Sequence, residues 1–155
     1  MRVLPILMLV VAGCSSSANL PGGTNIAAAA RAAAKSGLVV KVATAGKQPI
    51  HLQTGEMSAF AVFAKEQSAA VRNVTVRSNV GNLPLDATLC QSNPSTGQCL
   101  NAPSPSLEVN IRHNQAVTFS VFLTATGSIS KGTVRVEFTE KGALLGSGKV
   151  TVTTK

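Results

Sequence analysis

Two of the three common aromatic residues are missing: the chain of 155 residues has five Phe, no Trp and no Tyr. That removes most of the flat, half-polar platforms on which sugar rings and unpaired bases stack. Histidines and carboxylates are nearly as scarce, two His and six Asp plus Glu against fourteen Lys plus Arg, and there are three Cys. This is a thin stock for acid–base chemistry or metal ligation. No Gly-x-Ser-x-Gly context surrounds Ser106, Ser120, Ser128 or Ser130, and neither His51 nor His113 stands at a metal-ligand spacing from a cysteine. The glycines from Gly142 to Gly148 lack the lysine and following helix of a phosphate loop and read as a hairpin turn. The reading is a chain with no catalytic residue, no metal site and no cofactor, not an enzyme. Long apolar runs are lacking too, since Val3 to Val11 falls well short of the roughly 20 residues a membrane-spanning helix needs.

What is present begins at the N-terminus. Arg2 gives a positive start, the apolar run follows, and Val11-Ala12-Gly13-Cys14 ends it on small residues before a cysteine, the order of a targeting segment. The cysteine directly after Ala-Gly resembles the lipobox of bacterial lipoproteins. The resemblance implies that residues 1–13 are a signal peptide, that the Cys14 thiol is lipidated, and that the new amine of Cys14 is acylated. At about 0.8 kcal/mol per buried methylene, several acyl chains make such an attachment stable. Ser15, rather than an aspartate, follows the cysteine, which resembles cargo sent on to the outer membrane. The implied location is lipid-anchored in the outer membrane, on its periplasmic face or at the cell surface, with the membrane as partner through the N-terminal lipid.

Residues 14–24 continue as Ser-Ser-Ser-Ala-Asn-Leu-Pro-Gly-Gly-Thr after the cysteine, a composition that neither packs nor pairs and reads as a tether. Residues 25–36 hold Ala27–Ala30 and Ala32–Ala34, with Thr24 or Asn25 able to cap a start and Gly37 placed where a helix would stop. A short helix and a continued tether both fit this stretch, because an alanine surface offers no broad apolar face. With Arg2 the single charge in residues 1–13, residues 14–155 carry 13 basic against 6 acidic side chains, and the basic residues are scattered and never form a block. Without aromatics beside them they argue against nucleic acid as a partner.

Beyond Gly37 the apolar period becomes two, and strand follows strand about every ten residues. Leu38, Val40 and Val42 begin it, followed by Met57 to Lys65 with Phe60, Val62 and Ala64 on one face. Val74 and Val76, Leu85, Ala87 and Leu89, then Leu107, Val109 and Ile111 continue the pattern. Val117, Phe119, Val121 and Leu123 form the clearest run, before Val134, Val136 and Phe138 and finally Val150 and Val152. Eight short strands over residues 37–155 predict an all-β fold, an immunoglobulin-like antiparallel β-sandwich. Phe63 and Phe122 break the alternation, which marks them as candidate interface residues on a face that should be wet. They fall on the second and sixth strands of this count, positions that need not share a sheet.

Cys90 and Cys99 frame a loop containing Asn93-Pro94 and Gly97. Two thiols nine positions apart, brought together by turn formers in an exported domain, are expected to form a structural disulfide. A metal would need more ligands, and a redox pair would be spaced more tightly.

The same region carries a second resemblance. Leu-Pro-Leu, a strand ending Leu-Cys-Gln, Asn-Pro-x-Thr-Gly-x-Cys-Leu, Pro-Ser, Ala-Val-Thr-Phe-Ser-Val-Phe and Val-Arg-Val-Glu-Phe resemble a repeat of large exported bacterial surface proteins, over about Met57 to Thr154. The resemblance implies an immunoglobulin-like module and transfers no catalytic residue. Here the module occurs once, behind a lipobox, with a shorter connection at Gly127 to Lys131. Two functions fit these features: a structural or assembly component of a larger cell-envelope complex, with a protein partner in the envelope, and a free-standing binding module for a polyanionic or carbohydrate ligand. The lack of Trp and Tyr favours the first.

Overall fold

The computed structural model describes residues 37–46 and 48–155; the signal segment, Cys14, the tether and the Ala-rich stretch lie outside the described residues. Nine strands follow one another: β1 (Leu38–Ala43), β2 (Ile50–Leu52), β3 (Met57–Glu66), β4 (Arg72–Asn79), β5 (Leu85–Ser92), β6 (Ser106–Ile111), β7 (Ala116–Ala125), β8 (Gly132–Glu140) and β9 (Ala143–Thr154). They form two sheets, one of four strands in the order β1-β3-β7-β5 and one of five in the order β2-β9-β8-β4-β6. With β2 and β6 set aside, the remaining seven strands fall into the immunoglobulin arrangement, first, second, fifth and fourth in one sheet and seventh, sixth and third in the other. The described residues therefore form an all-β, immunoglobulin-like sandwich, as the alternation of apolar residues predicts.

The alternation works because each sheet turns one face inward. Val62 and Phe60 of β3, Phe119, Val121 and Leu123 of β7, and Val134, Val136 and Phe138 of β8 are all buried. At the centre Phe119 and Phe138 meet across the sheets edge to face, with ring centroids 5.6 Å apart, a geometry worth about 0.5–1.5 kcal/mol beyond area burial. Where β1 crosses β9 the sheets come closer still. A Cβ at Gly146 would lie 3.0 Å from Val40, and one at Gly148 would run into Val42.

Three expectations from sequence need correction. The strands number nine, because Ile50–Leu52 forms β2, and β2 lies parallel to β9, so the sandwich is not antiparallel throughout. Only Lys141 and Gly142, both at positive φ, make the β8–β9 turn; Gly146 and Gly148 belong to β9, where absent side chains let β1 approach. Finally, Phe63 and Phe122 lie on β3 and β7, which are direct neighbours in one sheet.

Candidate docking face

The outer face of the four-stranded sheet is built from the residues that alternate with its core. On β3 these are Met57, Ala59, Ala61, Phe63 and Lys65; on β7 they are Ala116, Thr118, Ser120, Phe122 and Thr124. The register places Phe63 between Lys41 of β1 and Thr118 of β7, and Phe122 between Ala59 of β3 and Thr88 of β5. The two rings therefore share one face but sit about 13 Å apart along the strands, at roughly 3.3 Å per residue. Between them the floor is small, Ala61 beside Ser120. Phe63 is 40% exposed and Met57 69%, while Phe122 is half-buried.

Small residues flanked by large ones leave two hollows. One, of about 490 Å³, is bordered by Ala43, Ala59, Ala61, Ser120, Phe122 and Gly97. Gly97 belongs to the disulfide loop, so that loop forms one wall. The other, of about 290 Å³, is bordered by Val39, Lys41, Phe63, Lys65, Gln67 and Ala116. Lysines flank the second ring, and their stems extend its apolar surface.

The disulfide loop owes its place to β5. Cys90, fully buried, is bonded to Cys99 with 5.6 Å between their Cα atoms. Inside the loop the Asn93 carbonyl accepts from Gly97 N at 2.8 Å and the Asn93 side chain accepts from Ser95 N at 2.9 Å. The chain leaving it runs back along the edge of β5, where Leu100 N donates to the Gln91 carbonyl at 2.7 Å and Leu89 and Ser104 exchange two bonds. That edge is thus closed to strand addition, leaving the face rather than the edge as the exposed feature on this side.

A buried charge cluster sits where the described chain begins, and sequence reading did not single it out. Glu66 is fully buried; its Oε2 pairs with Arg72 Nε at 2.5 Å and its Oε1 accepts from Ser68 N at 2.7 Å, while Arg72 Nη1 reaches Glu140 at 3.0 Å. Burial pushes the Glu66 carboxyl up, but the hydrogen bonds from Ser68 and Arg72, with the Arg72 charge, outweigh it and hold the group below the ordinary value of 4.5. His113 lies at the turn between β6 and β7, as its neighbour Asn114 suggests, with Nδ1 2.6 Å from the Ser68 carbonyl. With no exposed surface Glu66 cannot meet a substrate, so the cluster reads as a clamp. Glu66 continues the inward parity of Phe60, Val62 and Ala64, the signal by which its burial was legible. Among the described residues no group of three or more His, Cys, Asp or Glu is placed to hold a metal ion.

On the opposite, polar face the basic residues are largely dispersed or paired. Arg77 bonds Glu137 at 3.1 Å, while Arg135 and Lys149 are register partners on β8 and β9.

No protein-family model matches the chain, and no curated protein matches it. Among solved structures it is similar to AvmM, described as catalysing macrocyclization in alchivemycin A biosynthesis, with a TM-score of 0.54 at 8% identity over 77% of this chain and 89% of that one. It is also similar to the N-terminal domain of PorA, at a TM-score of 0.42 and 19% identity over 76% of this chain and 97% of that one. PapD-like domain 7 of human CEP192 gives 0.41 and 11% over 92% and 96%. At such identities likeness speaks to fold alone, and the fold is the one the strand order already defines.

Proposed function

We propose that this chain is a lipid-anchored, non-catalytic component of a bacterial cell-envelope assembly, held to the outer membrane through Cys14 and docking onto an envelope protein through the hollow walled by its disulfide loop. The observation that carries this reading is the outer face of the four-stranded sheet. It presents a small-residue floor, a half-buried Phe122 and a loop fixed by a covalent bond, where a domain with no partner would present a polar surface. The partner chemistry that fits is an apolar side chain entering between Phe122 and Gly97, with its backbone near Ser120. Lipid attachment is supported by the residues around Cys14 and places the module at the envelope.

Replacing Phe122 by Ser tests the docking. Loss of a fixed set of envelope proteins that co-purify with the parent, at unchanged melting temperature, is expected; an aromatic anchor commonly costs about 2 kcal/mol or more to remove. A large fall in thermal stability would make Phe122 a packing residue and remove it from the interface.

A polyanion-binding role is the second reading, favoured by Arg135 standing beside Lys149 on the polar face. It predicts binding to anionic glycan that falls steeply with salt and is abolished by Arg135→Ala with Lys149→Ala, while Phe122→Ser leaves it intact.

A further inference from the structure

The outermost strand of the four-stranded sheet is β1, with β3 as its single sheet neighbour among the described residues. In an antiparallel pair, hydrogen bonds join every second pair of residues. Gln67 N donates to the Gly37 carbonyl at 2.9 Å, and the same register then bonds Val39 to Lys65 and Lys41 to Phe63. The N–H and C=O of Val40 and Val42 consequently point away from β3, along the outer side of the strand. Side chains are uncovered there too. Val40 and Val42 face the core yet are only half-buried, whereas their partners on β3, Ala64 and Val62, have no exposed surface.

Among the described residues no other sheet edge combines these features. The β5 edge carries the chain returning from the disulfide loop, and β2 is three residues long. β6 turns Val109 and Ile111 into the core, where both are buried, and shows Glu108 and Asn110 to solvent. Of the devices that commonly blunt an edge, Leu38–Ala43 holds one lysine and neither proline nor bulge. The charge on this side has one sign. Lys41 and Lys65 are exposed on the outer face and border the hollow beside Phe63, which no described carboxylate lines. Glu66, next along β3, is turned inward and taken by Arg72. Neither lysine forms an ion pair among the described residues.

We propose that β1 is a docking edge for an extended acidic segment of a partner protein, which adds to the four-stranded sheet as a further strand. Backbone hydrogen bonds to Val40 and Val42 hold it, apolar side chains on its inner face cover those two valines, and carboxylates on its outer face lie beside Lys41 and within reach of Lys65. Successive strand residues point to opposite faces, so the segment is recognised by alternating apolar and acidic residues. A second copy of this chain is the poorer occupant. Pairing both valines with their counterparts sets the two Lys41 side chains directly opposite one another, and like charges so placed repel. The edge requires neither Phe122 nor a lipid.

Amide hydrogen exchange on purified residues 14–155 carrying Cys14→Ser, with a short capped peptide of alternating Val and Glu as probe, tests it. In the free protein Val40 and Val42 should exchange at least about tenfold faster than Val39 and Lys41, which bond to β3, and saturating peptide should remove that difference. Lys41→Glu with Lys65→Glu should weaken the peptide at least about tenfold and favour the same peptide with Lys in place of Glu. Val42→Pro removes one outward N–H at an edge, where proline is tolerated, and should abolish binding at an unchanged melting temperature. Phe122→Ser should leave binding intact. Protection of Val40 and Val42 in the free protein overturns the proposal, because the edge is then already covered, by this chain if the protection is independent of concentration and by a second copy if it rises with concentration. A peptide that fails to slow Val40 and Val42, or that binds the lysine and proline variants as it binds the parent, overturns it equally. Failure here leaves the docking through Phe122 standing, and failure of that docking leaves this edge standing.

Discussion

At the scale of single residues, Glu66 is a buried charge that contributes to the domain's acid tolerance. It is fully buried and holds Ser68 and Arg72, so the folded state favours its ionised form. A carboxyl held below its unfolded value contributes stability that is complete above that value and is lost as pH falls through the folded one. Thermal stability should therefore decline from about pH 4.5 downward, the ordinary glutamate value, and Glu66→Gln should flatten that decline. Arg72→Ala should be the harsher change at neutral pH, destabilising by about 3 kcal/mol or more, since it leaves a buried carboxylate without its cation. Melting curves of the three proteins between pH 3 and 7 check both statements. If Arg72→Ala melts with the parent, the pair carries no such burden.

At the scale of elements, the disulfide loop joins stability to the docking face. Cys90→Ala with Cys99→Ala should lower unfolding free energy by about 2–3 kcal/mol on the chain-entropy model, measured by denaturant titration, with the sandwich retained because β5 and β7 carry their own apolar faces. Under the proposed docking the same variant should also lose the co-purifying proteins, because Gly97 no longer walls the hollow. Retained partners would mean that the loop is only a staple. The elements themselves were unevenly legible. Strands such as β7 and β8 announce themselves because one face is buried along their whole length, with Val117 to Leu123 and Val134 to Phe138 in strict alternation. β2 does not, since three residues after a proline hold no period. Gly146 and Gly148 misled because sequence records a glycine but not its reason, and here the reason is the approach of Val40 and Val42 from the other sheet.

At the scale of the whole molecule, the sandwich followed from counting inward and outward residues, and the Cys90–Cys99 bond from spacing and turn formers. That Phe63 and Phe122 share a face did not, because neighbours in a sheet are fixed by topology: β3 and β7 are paired across three intervening strands. Sequence marks a ring as out of pattern without saying what lies beside it. The proposed lipid anchor at Cys14 lies outside the described residues and is tested on the intact chain. Cys14→Ser should leave the protein soluble or unprocessed on fractionation, while the parent stays with the outer membrane; a mutant that fractionates with the parent would mean that protein contact, rather than lipid, holds it.

The proposed docking is tested most directly by what touches the outer face of the four-stranded sheet in the cell. A photo-crosslinking residue placed at Phe122, at the hollow, and at exposed Thr133 on the polar sheet, compares the two sides of one domain. A single discrete adduct with an envelope protein is expected from position 122 and none from position 133. Absence of any adduct at 122, or the same adducts from both positions, would contradict the proposed docking.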